Sequence, residues 1–239
     1  MLWPRGRTAA PDCLVSLTRA LVLPASTIAK EVDPAPEVLL LAGAATAVVF
    51  LVVLFVEGTR RPGYDPVYHT GSELELGERG WLQRASFLLM GTGVLAFATG
   101  VHETLQSLLA AVLLGIFGLG LLVAGLFVPD AFRGYPPGAP SEPTAAPTRG
   151  HQVHHVIGGP VAFLALFGAC VALAVRLDGV WRLYTALTAA AGLALTIATA
   201  LAYQRDAAST GLVQRGLIVV YWAWIALLGI DLAANPPAP

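Results

Sequence analysis

The chain has 239 residues, 56% of them hydrophobic and only 12% charged, with a formal net charge of −1. A soluble domain carries about twice that share of charge to coat its surface. Nucleic-acid binding needs clustered Lys and Arg, and here the 14 basic residues are scattered, all but Lys30 being Arg. The mean hydropathy of +0.70 points instead to a chain whose perimeter is covered by lipid. Cys13 and Cys170 belong to no Cys-x-x-Cys pattern, which excludes the usual redox and zinc-ribbon signatures.

Residues 1–36 read as a tail. Arg5 and Arg7 precede an apolar stretch from Cys13 to Leu23 that resembles a signal peptide, but Arg19 interrupts it, so cleavage is disfavoured. A short interfacial segment ending near Pro24 is the alternative. A bilayer-spanning helix needs roughly 20 apolar residues, and six runs meet that need. They cover about 38–56, 85–101, 104–129, 156–175, 183–204 and 212–234, with a tail at 235–239. The runs are apolar on all sides, as lipid-embedded helices are, and strand-type alternation is absent. The fold class expected is all-α, a polytopic bundle of six transmembrane helices. Small residues such as Gly115, Gly118, Gly120, Ala124 and Gly125 suit close helix packing in lipid.

The connections are unequal. Residues 57–84 and 130–155 form long polar loops, and 205–215 a shorter one, all on the same side under alternating topology. The turns at 102–103 and 176–182 are tight. The long-loop side holds eight basic residues against six on the other, tail included, which by the positive-inside rule places it in the cytoplasm by a narrow margin. Trp81, Trp181, Trp222 and Trp224, with Tyr184, Tyr203 and Tyr221, fit an interfacial aromatic belt. Ionisable groups are nearly absent from the spans, which argues against a pump built on midplane carboxylates.

The first long loop reads Gly-Tyr-Asp-Pro-Val-Tyr-His-Thr-Gly-Ser-Glu-Leu-Glu-Leu-Gly from Gly63 to Gly77. The second opens Phe127-Val128-Pro129-Asp130 and closes Gly150-His151-Gln152-Val153-His154-His155. These segments resemble a bacterial and archaeal family of six-helix membrane proteins, domain of unknown function 998. Its pattern has a Tyr-x-Pro and His segment before Ser-Glu-Leu-Gly, then Phe-Pro-x-Asp, then Gly-x-x-His. Tyr64, Pro66, His69, Ser72, Glu73, Leu74, Phe127, Pro129, Asp130, Gly150 and one histidine match it. The chain departs in two places: Glu75-Leu76 stand before Gly77, and Val128 separates Phe127 from Pro129. The resemblance implies the six-helix architecture over roughly 38–234 and no reaction.

The residues themselves suggest chemistry at the lipid–water boundary. His151, His154 and His155 share a helical face at i, i+3 and i+4, a spacing that suits a divalent metal such as zinc. Glu73 or Asp130 could act as general base, with Ser72 orienting a carboxylate or a headgroup. Tyr64, His69 and His151 are the candidate ligand-binding residues. The blander readings are that Glu73, Glu75 and Glu78 form a solvated stretch paired with Arg79 and Arg84, and that Asp130 caps a turn. The segment 134–150, with five prolines, reads as an extended linker.

Two functions follow as expectations. One is a lipid- or isoprenoid-acting membrane enzyme with its site between the loops after helices one and three. The other is a non-enzymatic accessory protein or small-solute carrier. Either is multi-pass, expected in a bacterial plasma membrane, with membrane lipid as its partner, possible lipid-like substrates and no nucleic acid.

Overall fold

Pro36 opens the first helix at a position where its missing N–H costs no intrahelical bond. Helix α1 then runs Pro36–Arg60, through an apolar span that ends on Glu57 and Arg60. A computed structural model describes residues 35–142 and 146–236, with every side chain in those ranges but that of His155. The expected tail at 1–36 therefore lies almost wholly outside the described residues. Helices α2 (Gly80–Leu105), α3 (Leu108–Leu126), α4 (Arg149–Ala174), α5 (Gly179–Gln204) and α6 (Thr210–Ala234) follow. All six are long and apolar enough to cross a membrane, and the described residues form no strand, so the fold is an all-helical transmembrane bundle.

The helices outrun the apolar runs that signal them, because a charge at the interface ends a run without ending a helix. Residues 57–60 and 80–84 are helical rather than loop. The second and third spans part at Gln106–Ser107, not at His102–Glu103. Thr104 belongs to α2, which ends where Gln106 takes φ 50°. Helix α3 stops at Leu126, before extended Phe127 and Pro129; the residue before a proline resists the helical region. Helix α4 is α-helical at Arg149–Val153, widens into a π-helix over His154–Val161, and resumes at Ala162. Pro160 lies inside that π segment and has no N–H to give the ladder.

Each helix packs on the next in sequence, and α6 closes on α1. Helix α6 is the most enclosed of the six, and α5 the least. At the centre, Trp222 of α6 meets Phe50 of α1 at 5.1 Å, Phe117 of α3 at 5.5 Å and Phe163 of α4 at 6.3 Å between ring centroids. Trp224 packs edge-on to Phe97 of α2, and its indole N–H donates to Thr185 Oγ1 at 3.0 Å. Tyr221, Trp222 and Trp224 are thus buried core, not an interfacial belt. A helix enclosed by neighbours turns its large aromatics inward to fill the volume between them. Trp81 is 63% exposed and stays at the perimeter.

Candidate functional site

The long-loop end is a buried polar assembly built around three arginines. Arg215 stands in the second turn of α6 and is buried. Its Nη1 donates to the carbonyls of Pro66 (2.6 Å), His69 (3.0 Å) and Gly211 (3.1 Å), and its Nη2 to Tyr64 Oη (2.6 Å). Tyr64 Oη in turn donates to Thr70 O at 2.8 Å. Burial lifts the Tyr64 phenol well above its usual range, although Arg215 opposes the shift. The first N–H groups of α6 are capped by the same loop: Gly211 donates to Tyr68 O and Leu212 to Val67 O. Those donors have no partner within a helix, and here the loop backbone supplies one. Gln214 Oε1 accepts from Gly71 N at 2.7 Å. One loop is therefore fastened to α6 at five or more points.

Arg61 is the second centre. Its Nε donates to Glu57 Oε2 at 2.7 Å, and its Nη1 to Leu76 O (3.0 Å) and Tyr135 Oη (3.4 Å). Its Nη2 donates to Arg79 O, and Arg79 pairs with the other oxygen of Glu57. The buried carboxylate is doubly neutralised, as a buried charge must be.

Arg133 is the third. Its side chain is 2% exposed and lies 3.8 Å over the Tyr68 ring and 5.3 Å from that of Tyr203. Asp206 Oδ1 sits 3.2 Å from its Nε and Glu73 Oε2 3.9 Å from its Nη1. Glu73 itself serves the 3-10 turn Gly71–Glu75, accepting from the N–H and hydroxyl of Thr70. This is the reciprocal capping that a Thr-x-x-Glu pattern encodes. His69 has both ring nitrogens engaged. Nδ1 accepts from Asp65 N at 2.8 Å, so Nε2 carries the proton and donates to Arg133 O at 3.1 Å. Ser72 Oγ lies 3.2 Å from Thr70 Oγ1.

The remaining candidates gather where the second loop enters α4. Asp130 accepts from the N–H of Thr148 at 3.0 Å and from its hydroxyl. Burial works to raise its carboxyl, but these bonds and nearby His151 outweigh that and hold it below the usual range. Thr148 caps α4 by accepting from His151 N at 3.3 Å. The His151 ring lies edge-on to Phe132 at 5.5 Å. His154 Nε2 sits 2.6 Å from Phe127 O, which fixes it as a donor, and 3.5 Å from Glu75 Oε1. The side chain of His155 lies outside the described residues, and among those described no three ligating groups converge on a metal position. The segment expected to be an extended linker is in part a closed turn, with Gly134 N bonded to Pro140 O.

The candidate residues thus divide. Tyr64, His69, Ser72 and Glu73 lie together with Arg133 and Arg215, whereas Asp130 and His151 lie with Thr148. Glu73 and Asp130 do not serve a common partner. Glu73 and Glu75 are buried rather than solvated, because the 3-10 turn that carries them packs against α1, α2 and α6. Arg79 pairs with Glu57 and Arg84 donates to Gly125 O, so neither forms the expected surface pairs. Sequence reasoning missed Glu57, Arg61, Arg133 and Arg215. The signal was available for two: Glu57 and Arg215 are charged residues within long, mainly apolar helices.

Two cavities open at the opposite, short-loop end. One of about 600 Å³ is bordered by Glu37, Glu103, Gln106, Arg176 and Leu232. The other, about 480 Å³, lies between α5 and α6 and is lined by Val180, Trp181, Tyr184, Leu227, Ile230 and Asp231, among others.

A family model described as a protein of unknown function (DUF998) matches residues 44–231. No curated protein and no solved structure matches the chain.

Proposed function

The chain belongs to the DUF998 family of proteins of unknown function, and from that premise we propose a non-enzymatic, lipid-binding accessory protein of a bacterial plasma membrane. One observation carries the reading. Arg61, Tyr64, His69, Glu73 and Arg215 bond the loop backbone, one another and the ends of α1 and α6, so they act as a cap that fixes the bundle. Arg215 alone spends four hydrogen bonds on Tyr64 and three carbonyls. A hydrolytic centre needs its base within hydrogen-bond reach of a nucleophile or bound water. Here Glu73 is committed to Thr70 and Asp130 to Thr148. Lipid binding rests on the apolar groove between α5 and α6, which lies at the perimeter of the least enclosed helix.

The test is to purify the full chain in mild detergent, exchange it repeatedly, and quantify co-purifying lipid by mass spectrometry. Stoichiometric retention of phospholipid, with no turnover when lipid extracts are added, is the expected result. Release of a hydrolysed lipid product at a rate lost in Glu73→Gln or Asp130→Asn would overturn it.

One contact favours the enzyme reading at the long-loop face. Glu75 is fully buried beside His154, and burial raises its carboxyl above the usual range against the opposing pull of His154 and Arg84. A carboxylate and an imidazole so placed can exchange a proton, as an acid–base pair must. Product release lost in Glu75→Gln alone would select that version.

A further inference from the structure

The groove between α5 and α6 joins apolar walls and an aromatic rim to a carboxylate, which ordinary lipid-facing surface lacks. Its walls are apolar: Val180 is 74% exposed, and Leu227 and Ile230 each 50%. Trp181 and Tyr184, packed edge-on at 5.8 Å, stand at its rim in the first turns of α5. Indole and phenol rings favour the depth of lipid headgroups. Into this apolar setting projects one carboxylate, Asp231, in the last turn of α6.

Among the described residues the Asp231 carboxylate has no cationic partner. Its Oδ1 accepts from Asn235 Nδ2 at 3.2 Å, a neutral partner. Among the described residues no Lys, Arg or His stands within ion-pair distance of it. Asp178, near the start of α5, differs in being paired with Arg182 at 2.7 Å. The carbonyl end of α6 adds its own negative potential at the same place. A groove with apolar walls, an aromatic rim and a carboxylate complements an amphiphile with a cationic group in its head.

We propose that this groove binds a bilayer phospholipid bearing a primary ammonium headgroup, with the ammonium on Asp231 and an acyl chain along Leu227 and Ile230. A primary ammonium donates hydrogen bonds to the carboxylate and to the Asn235 amide oxygen. A quaternary ammonium has no donor to give, and an anionic headgroup would be repelled. The proposal rests on the lipid-binding reading above and names the lipid class for it.

The experiment reconstitutes the full chain into vesicles of equal parts phosphatidylethanolamine, phosphatidylcholine and phosphatidylglycerol. Lipid retained after gentle extraction is then measured by native mass spectrometry. Phosphatidylethanolamine is expected to be enriched over phosphatidylglycerol by about fivefold, the scale of one part-exposed ion pair, and over phosphatidylcholine by less. Asp231→Asn should bring retention to the vesicle ratio, Asp231→Glu should restore the preference, and Asp178→Asn should leave it intact. Lipid retained without headgroup preference, or a preference that survives Asp231→Asn, overturns this assignment while the lipid-binding reading stands. Equal retention of the ethanolamine and choline lipids overturns the primary-ammonium assignment. No retained lipid of any kind overturns both. Thermal unfolding of each variant beside the wild type separates loss of binding from loss of fold.

Discussion

Arg133 and Asp206 meet at 3.2 Å, and each holds a left-handed backbone, with φ 62° and 48°. Neither is glycine, so both positions are sterically costly, and the contact between them is part of what offsets that cost. The pair ties the loop after α3 to the loop after α5. Tyr68 joins from the loop after α1, donating to Asp206 Oδ1 at 2.7 Å while its ring carries the Arg133 guanidinium. All three connections at this end are thereby locked. Arg133→Met should destabilise the protein by roughly 3 kcal/mol, because it leaves buried Glu73 without a cation. Asp206→Asn should cost about 1 kcal/mol or less, since its side chain is largely exposed. Thermal unfolding in detergent, followed by loss of the monodisperse chromatographic peak, ranks the two. Equal effects would mean that the link between loops, not the buried charge, dominates.

Arg215 presents a different arrangement, since its charge meets carbonyls and a phenol rather than a carboxylate. The fork geometry of the guanidinium allows four acceptors to be reached at once, which an ammonium cannot reproduce. Arg215→Lys should therefore destabilise by roughly 2 kcal/mol, and Tyr64→Phe, which removes both the acceptor for Arg215 Nη2 and the donor to Thr70 O, by a similar amount. Because the loop after α1 caps the N-terminus of α6, hydrogen exchange at Gly211 and Leu212 should rise in Arg215→Lys. Unchanged protection there would separate the cap from the arginine.

The two shifted carboxyls predict opposite pH dependences. Glu75 is raised, chiefly by burial, so it holds its proton more tightly in the folded state. Its contribution to stability is complete below the unfolded value, about pH 4.3, and is lost as pH rises through the raised one. Glu75→Gln should raise the melting temperature at neutral pH and flatten the pH profile above about pH 4.3. Asp130 is held low by Thr148 and His151 against the upward push of burial. It stabilises above about pH 3.9, and the contribution is lost as pH falls through the depressed value. Thr148→Val should weaken that acid-side slope and leave the Glu75 slope in place. Melting curves across a pH series distinguish them.

The helix count was legible because each span is a long apolar run, and such runs have few alternatives in a membrane. The helix ends were not, because His102, Glu103, Glu57 and Arg60 mark where the apolar environment stops rather than where the hydrogen-bond ladder stops. The candidate site was legible in part. Residue type and loop position placed Tyr64, His69 and Glu73 at one end of the bundle. Their partners Arg133 and Arg215 lie 64 or more positions from His69 in sequence, and only the closed ring of helices brings them together. The acidic stretch at Glu73 and Glu75 looks solvated as a string. The 3-10 turn that buries both is set by Thr70 and by Gly80, whose missing side chain leaves room for the Glu75 carbonyl.

The small residues divide in the same way, and that yields the last prediction. Gly118 packs on the Gly91 carbonyl, Gly120 on Ala162, and Gly125 on the Arg84 carbonyl, as close packing in lipid requires. Gly115, on the same helix, would place a new Cβ in open space with nothing within 4 Å. Gly192 of α5 would place one inside the ring of Tyr221. Tyr221 is fully buried and stacks on Phe163 at 6.2 Å, so it cannot yield without disturbing the aromatic core. Gly192→Ala should therefore destabilise by roughly 1–3 kcal/mol, the usual range for overpacking. Gly115→Ala should be neutral or stabilise by up to about 1 kcal/mol through helix propensity. Thermal unfolding of the two variants in one detergent compares them directly. A tolerated Gly192→Ala would mean that α5, the least enclosed helix, moves outward to accept the methyl group, and that the α5–α6 contact is looser than its packing indicates.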